Sequence, residues 1–183
     1  MSSAVIIEQA QSTDAEPLSE VAAITFPLAC PPETTPEDAA EFIANVLSPR
    51  HFTEYLADPN RIVLKAVAED KIIGYALLNA FAPADPDVVA TLTPATETEF
   101  PNLIEVSKVY VLPEHHGGVS AHLMTAALDA ARAAGSIGVW LGVNQKNVRA
   151  QRFYTKQGFT VASTKTFMVG AQRHDDYIML LEF

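Results

Sequence analysis

The sequence predicts an α/β fold, a mixed sheet with helices on both faces. Two observations carry this. β-rich runs and runs with helical spacing succeed one another in the order strand, helices, three strands, helix, strand, helix, two strands. The chain of 183 residues, 49% apolar and 19% charged, suits one domain over residues 1–183 with a sizeable core.

Each element has its own signal. Ala4–Ala10 reads as a first strand. Ser12 and Thr13 offer caps for a helix whose apolar stripe is Leu18, Val21, Ala22 and Phe26. Thr35-Pro36-Glu37-Asp38 opens a second helix: a capping hydroxyl, a proline at the first helical position and acids in the first turn. That helix should run to about Leu47, and Ser48–Pro59 suits a short helix or a turn. Arg61–Ala68 and Ile72–Phe81 are β-rich and joined by Glu69-Asp70-Lys71, the pattern of an antiparallel hairpin. Pro83–Pro101 holds four prolines among Thr, Asp and Glu, and is expected to be a long loop.

Leu103–Leu112 is the next strand. Gly118–Ala134 is a helix with Val119, Leu123, Ala127 and Ala131 at a spacing of four. Ile137–Val143 reads as a buried strand. Asn147–Gln157 is a short helix stopped by Gly158, a residue suited to a left-handed cap. Phe159–Val169 and Asp175–Phe183 are the last strands.

Composition excludes several classes of function. The net charge of −10 opposes binding along a nucleic-acid backbone, which needs clustered Lys and Arg. It favours a cationic small molecule weakly, by steering, and otherwise simply keeps the chain soluble. Cys30 is the only cysteine, so no internal disulfide forms, and it is expected to be a small buried hydrophobe. The apolar run at Ala4–Ile7 stops at Glu8, unlike a signal peptide, and Asp129 and Arg132 interrupt the longest candidate membrane span. A cytoplasmic protein without membrane partners is expected.

Two segments carry chemistry. The first is Val109-Tyr110-Val111-Leu112-Pro113-Glu114-His115-His116-Gly117-Gly118-Val119-Ser120-Ala121, a strand entering a glycine turn that opens a helix. Glycines let a ligand approach the backbone, and the free N–H groups of the first helical turn suit an anion such as a pyrophosphate. A tight turn with no ligand fits the same residues. The second runs from Asn147 to Phe159. Seven helical steps fall about 20° short of two turns, so Asn147, Ala150 and Tyr154 share a face that could accept an elongated ligand. Asn147 as a plain N-cap and Tyr154 as a core aromatic fit equally well.

In this order and spacing the two segments resemble the GNAT superfamily of N-acetyltransferases, over about Leu103 to Phe183. The Asn-x-x-Ala-x-x-Phe-Tyr-x-x-x-Gly-Phe run is the more specific part. The glycine turn departs from the family pattern. His115 or His116 stands where Gln or Arg is usual, Ser120 replaces the last small residue, and the loop is one residue short before Gly118. Glu105, Val139-Trp140-Leu141-Gly142-Val143 with Lys146-Asn147, and the ending Phe167-Met168-Val169-Gly170 then Asp176-Tyr177-Ile178-Met179 resemble the PaiA-type polyamine acetyltransferases.

The resemblance implies a mostly antiparallel sheet with a splay between two central parallel strands, Leu103–Leu112 and Ile137–Val143. It implies acetyl-CoA as cosubstrate and direct acetyl transfer to a small primary amine, a polyamine first. An amino acid, an antibiotic or a peptide N-terminus is the alternative acceptor, and a non-catalytic CoA sensor the alternative role. Backbone groups of Val109, Tyr110 and Val111 would bind the pantetheine arm, and the N–H groups from His116 and Gly117 through Gly118, Val119, Ser120 and Ala121 the pyrophosphate. The Asn147 side chain would bond pantetheine as Ala150 lets it pass. Tyr154 takes the position of the acid facing the thiolate, and Glu105 that of the base, with a solvent-facing or salt-bridged strand residue as its alternative. Relatives often form a homodimer through the sheet or the final strands.

Other polar residues have simpler readings. His115, His116 and His122 have no Cys or carboxylate at metal-ligand spacing, so no metal is expected. Glu33, Glu37, Asp38 and Glu41 are ordinary acids of a helix start, or carboxylates awaiting a polycation. Trp140 is expected in the core.

Overall fold

The helical and strand runs read from the sequence assemble, in the computed structural model, around one seven-stranded sheet; the structure describes residues 4–183. The strands are β1 (Ile6–Gln9), β2 (Arg61–Ala68), β3 (Lys71–Asn79), β4 (Leu103–Val111), β5 (Gly138–Asn144), β6 (Thr160–Val169) and β7 (Gln172–Glu182). The helices are α1 (Ala15–Ala29), α2 (Pro36–Val46), α3 (Pro49–Ala57), α4 (Pro86–Leu92), α5 (Val119–Ala133) and α6 (Val148–Lys156). Strand order is β1-β2-β3-β4-β5-β7-β6, antiparallel throughout except for β4 and β5.

Local chemistry explains most boundaries. Thr35 and Ser48 cap α2 and α3 through their hydroxyls, each followed by a proline whose fixed φ suits the first turn. Glu69 and Asp70 both take positive φ, 50° and 61°, and so form the two-residue turn between β2 and β3. Lys71, expected in that turn, already pairs with Ala68.

Three expectations need correction. Pro83–Pro101 is not a plain loop, for α4 lies inside it. The Asp85 carboxylate caps that helix, Pro86 starts it, and Val88 and Leu92, four apart, pack on Leu103, Trp140 and Ile178. β7 starts at Gln172 rather than Asp175, because Gly170 at φ +57° turns the chain at once. β1 is shorter than Ala4–Ala10, spanning only the residues that pair with β2.

The two sheet faces bury separate cores. One packs α5 and the inner side of α6 on Leu64, Ala76, Ile104, Val139 and Leu141. The other packs α1, α2 and α3 on Val63, Tyr75 and Leu77. Trp140 is buried as expected. Among the described residues no helix is long and apolar enough to cross a membrane.

Two irregularities shape the centre. β4 and β5 pair only at Leu103–Gly138, Ile104–Val139 and Glu105–Trp140, then part. On its other side β4 carries a bulge: Leu78 pairs with Val106 and Leu77 with Lys108, leaving Ser107 as the extra residue. A one-residue insertion inverts the side-chain alternation. Val106 and Val109 therefore share the α5 core, while Lys108 and Tyr110 fall on the same face as Glu105.

Candidate active site

Where β4 and β5 separate, a cleft of about 580 Å³ opens. It runs from the first turn of α5, past the inner face of α6, to the end of α1 and Phe42 of α2. Of the residues singled out in the sequence, Glu105, Val109, Tyr110, Val111, His116, Gly118, Ser120, Ala121, Asn147, Ala150 and Tyr154 all line it. Gly117 and Val119 do not. Gly117 faces open space, and the Val119 side chain is buried in the core.

At the α5 end, Gly118 is the N-cap with φ +91°, a conformation that favours glycine, and no side chain caps the helix. A β carbon at either Gly117 or Gly118 would meet nothing within 4 Å. The N–H of Gly118 is not available to an anion, because it donates to the His116 carbonyl at 2.7 Å. The N–H groups of Val119, Ser120 and Ala121 remain, with the helix dipole behind them.

His116 takes a structural part that its place in the loop conceals. Its Nε2 lies 2.9 Å from the Val111 carbonyl, so Nε2 carries the hydrogen. Its Nδ1 then accepts from Arg149 Nη2 at 3.2 Å. Two consequences follow. The Val111 carbonyl already accepts one hydrogen bond, from His116. Arg149, which sequence reasoning passed over, brings a guanidinium to the side of the cleft where Gln or Arg was missing from the loop.

On α6, Asn147 is the N-cap: its Oδ1 accepts from the Ala150 N–H at 3.0 Å. The helix thus starts at Val148, and only the Asn147 amide N–H₂ is left for the cleft. Tyr154 packs edge-on against Phe153 and Phe159, with centroids 5.4 and 5.9 Å away. Its hydroxyl bonds to no other described residue, and burial pushes its pKa up to about 12. Burial, with the nearby Tyr154 second, also holds the Tyr110 phenol far above its ordinary range.

Glu105 is half-buried and makes no ion pair among the described residues. Its Oε2 accepts from Asn79 Nδ2 at 2.8 Å, Asn79 Oδ1 accepts from Arg61 at 2.6 Å, and Arg61 pairs with Asp58 at 3.2 Å. This chain fixes the carboxylate across the β3–β4 ladder.

Beyond Glu105 the cleft is lined by Lys108, Lys165 and His174, which carry no local sequence signal, and by Asp176 of the final strand. Cys30 also lines it, half-buried rather than enclosed, and burial raises its thiol pKa. Glu37, Asp38 and Glu41 do not reach the cleft, and Glu33 pairs with Lys146 beside it. Among the described residues no group of His, Cys, Asp or Glu is placed to hold a metal.

Residues 25–159 match the family model for the acetyltransferase (GNAT) family. The chain is 47% identical over 171 residues to an uncharacterized N-acetyltransferase of Mycobacterium tuberculosis, covering 93% of this chain and 98% of that one, and equally to one of Mycobacterium bovis. Among solved structures it is similar to the PaiA N-acetyltransferase of Thermoplasma acidophilum in complex with coenzyme A. There the TM-score is 0.76 and the identity 20%, over 98% of this chain and 99% of that one. A GCN5-related N-acetyltransferase of Rhodopseudomonas palustris superposes with a TM-score of 0.72 at 15% identity, over 100% and 98%. Identities this low bear on the fold alone.

Proposed function

The chain belongs to the GNAT acetyltransferase family and is an acetyl-CoA-dependent N-acetyltransferase; from that premise we propose that the cleft between β4 and β5 is its catalytic site, with one domain doing all the work. The observation that carries this is the parting of two parallel strands after Glu105, with uncapped helical N–H groups at one end and a held carboxylate at the other.

The residues present fit acetyl-CoA. The β4 edge beyond Glu105 has no strand beside it and offers backbone groups to a pantetheine arm. Val119, Ser120 and Ala121 offer N–H groups to a pyrophosphate, with open space over Gly117 and Gly118 and Arg149 adding positive charge. The Asn147 amide and the small Ala150 border the same path. Bound acetyl-CoA supplies an activated acyl group.

The rest is done by side chains. An alkyl amine resembles Lys, with a pKa of about 10.4, so roughly one molecule in a thousand is neutral at pH 7. Glu105 takes the proton that attack requires, directly or through a water. Tyr154 faces the sulfur. With a phenol at about 12 against a thiol of about 8.5, full proton transfer is uphill by roughly 5 kcal/mol. Tyr154 therefore stabilises the departing thiolate by donating a hydrogen bond, and the proton arrives later from solvent.

The acceptor is a small primary amine. The PaiA-like features favour a polyamine, whose ammonium groups Glu105 and Asp176 would receive. A specific observation favours a second reading: Lys108 and Lys165 share that end of the cleft. The test is thiol release from acetyl-CoA against amines, with acetyl-CoA binding followed in parallel by calorimetry. Saturable turnover is expected. Failure of acetyl-CoA to bind would refute the proposed site.

A further inference from the structure

The far end of the cleft is unusual in carrying cations and unpartnered polar atoms together. Lys108 is half-buried on β4, with Ser107 Oγ at 3.2 Å and the Phe42 ring at 6.0 Å. It makes no ion pair among the described residues. Desolvation lowers its pKa, an effect that the charge of Glu105 opposes in part and those of Arg61 and Lys165 reinforce.

Lys165 reaches the same space from β6. Gly142 makes this possible: a β carbon there would lie 2.5 Å from Lys165 Cε and 3.1 Å from its Nζ. The ammonium pairs with Asp176 Oδ2 at 3.8 Å. The other Asp176 oxygen, Oδ1, and His174 Nε2 are buried with no partner, although both residues are more than nine-tenths enclosed and line the cleft. A buried polar group without a partner is costly, and a ligand carboxylate that pairs His174 Nε2 removes that cost.

Resting on the acetyl-transfer reading of this cleft, we infer that the acceptor is a zwitterion of the amino-acid class, its carboxylate held by Lys108 and Lys165 and its amine directed to Glu105. A carboxylate accepts charge-assisted hydrogen bonds from two ammonium groups and from His174. A polyamine instead brings its second and third ammonium groups up to Lys108 and Lys165, where like charges repel. The bulge at Ser107 is what turns Lys108 to this face, two positions along the β3 ladder from the base.

The experiment compares L-amino acids with their own carboxamides, alongside putrescine and spermidine, by thiol release from acetyl-CoA. Rates are compared at equal concentrations of neutral amine, since amidation lowers the amine pKa. At least one acid should be preferred over its amide by about 10- to 100-fold in kcat/KM, the worth of a charge-assisted bond. Lys108→Met and, separately, Lys165→Met should shrink that preference toward one. Measuring the preference in the wild-type enzyme keeps the test intact if a variant fails to fold. Equal use of acid and amide, turnover of polyamines alone, or silence on every acid while acetyl-CoA still binds overturns the inference. Loss of acetyl-CoA binding overturns the reading beneath it instead.

Discussion

Replacing Tyr154 by Phe removes one oxygen and little else. The ring packs on Phe153 and Phe159 through its edges and face, contacts that Phe keeps, and the hydroxyl bonds to no other described residue. The fold and the affinity for acetyl-CoA should therefore survive. What is lost is a donor to the departing thiolate. The phenol at about 12 is too weak an acid to protonate a thiolate whose conjugate acid lies near 8.5. The loss is then that of one hydrogen bond to a charged group, about 1.5–3 kcal/mol, or roughly 10- to 150-fold in kcat. A thiol-release assay with saturating acceptor measures kcat and the KM for acetyl-CoA together, and the melting temperature checks the fold. A kcat within twofold of wild type would remove Tyr154 from the reaction. A fall beyond about 10³, in the upper range of general acid catalysis, would refute the hydrogen-bond argument and restore complete proton transfer.

Three further predictions concern neighbouring groups. Glu105→Gln should lower kcat/KM by about 10²–10⁴ at pH 7, and the deficit should close as rising pH supplies more neutral amine; a deficit constant with pH would argue against a base. Arg149→Ala should raise the KM for acetyl-CoA about tenfold, less at high salt because the side chain is exposed; an unchanged KM would confine Arg149 to holding His116. On the far side of β1, Asp14 and Lys65 pair at 2.9 Å. Burial works to raise the Asp14 pKa, but the Gln11 N–H and Lys65 bring it below its ordinary value. The resulting stabilisation is complete above the unfolded value of about 3.9 and is lost as pH falls through the lower folded one. The Lys65 pKa is raised, first by Asp14, so its share is present below about 10.4 and lost as pH rises through the folded value. Asp14→Asn should therefore lower the melting temperature at neutral pH and flatten its acid dependence; an acid limb identical to wild type would be inconsistent with the pairing.

The end of the cleft between α5 and α6 was legible because it is local. Strand, glycine turn and helix follow one another within Val109–Ala121, and Asn147, Ala150 and Tyr154 lie on one short helix. The far end was not. Lys108, Lys165, His174 and Asp176 come from three strands and meet only through the order β4-β5-β7-β6 and a gap at Gly142. The bulge at Ser107 left no mark either, since the run Leu103–Leu112 reads as an unbroken strand. Helix α4 shows the opposite case: Asp85, Pro86 and the Val88–Leu92 spacing are ordinary helix signals, outweighed in the sequence reading by the prolines around them. His116 and Arg149 meet across 33 residues, so a cation missing from the loop motif was supplied from a helix that the motif does not contain.

The parting of β4 from β5 also bears on how long the protein lasts. Three register positions join the β1–β4 half of the sheet to the β5–β7–β6 half. A ligand lying along that seam acts as the rung the sheet lacks. A ligand bound only by the native state adds about 2.7 kcal/mol of stability at a hundred times its dissociation constant, enough to change the population open to proteases by roughly a hundredfold. Saturating acetyl-CoA should therefore protect the purified protein from proteolysis, by up to about that factor.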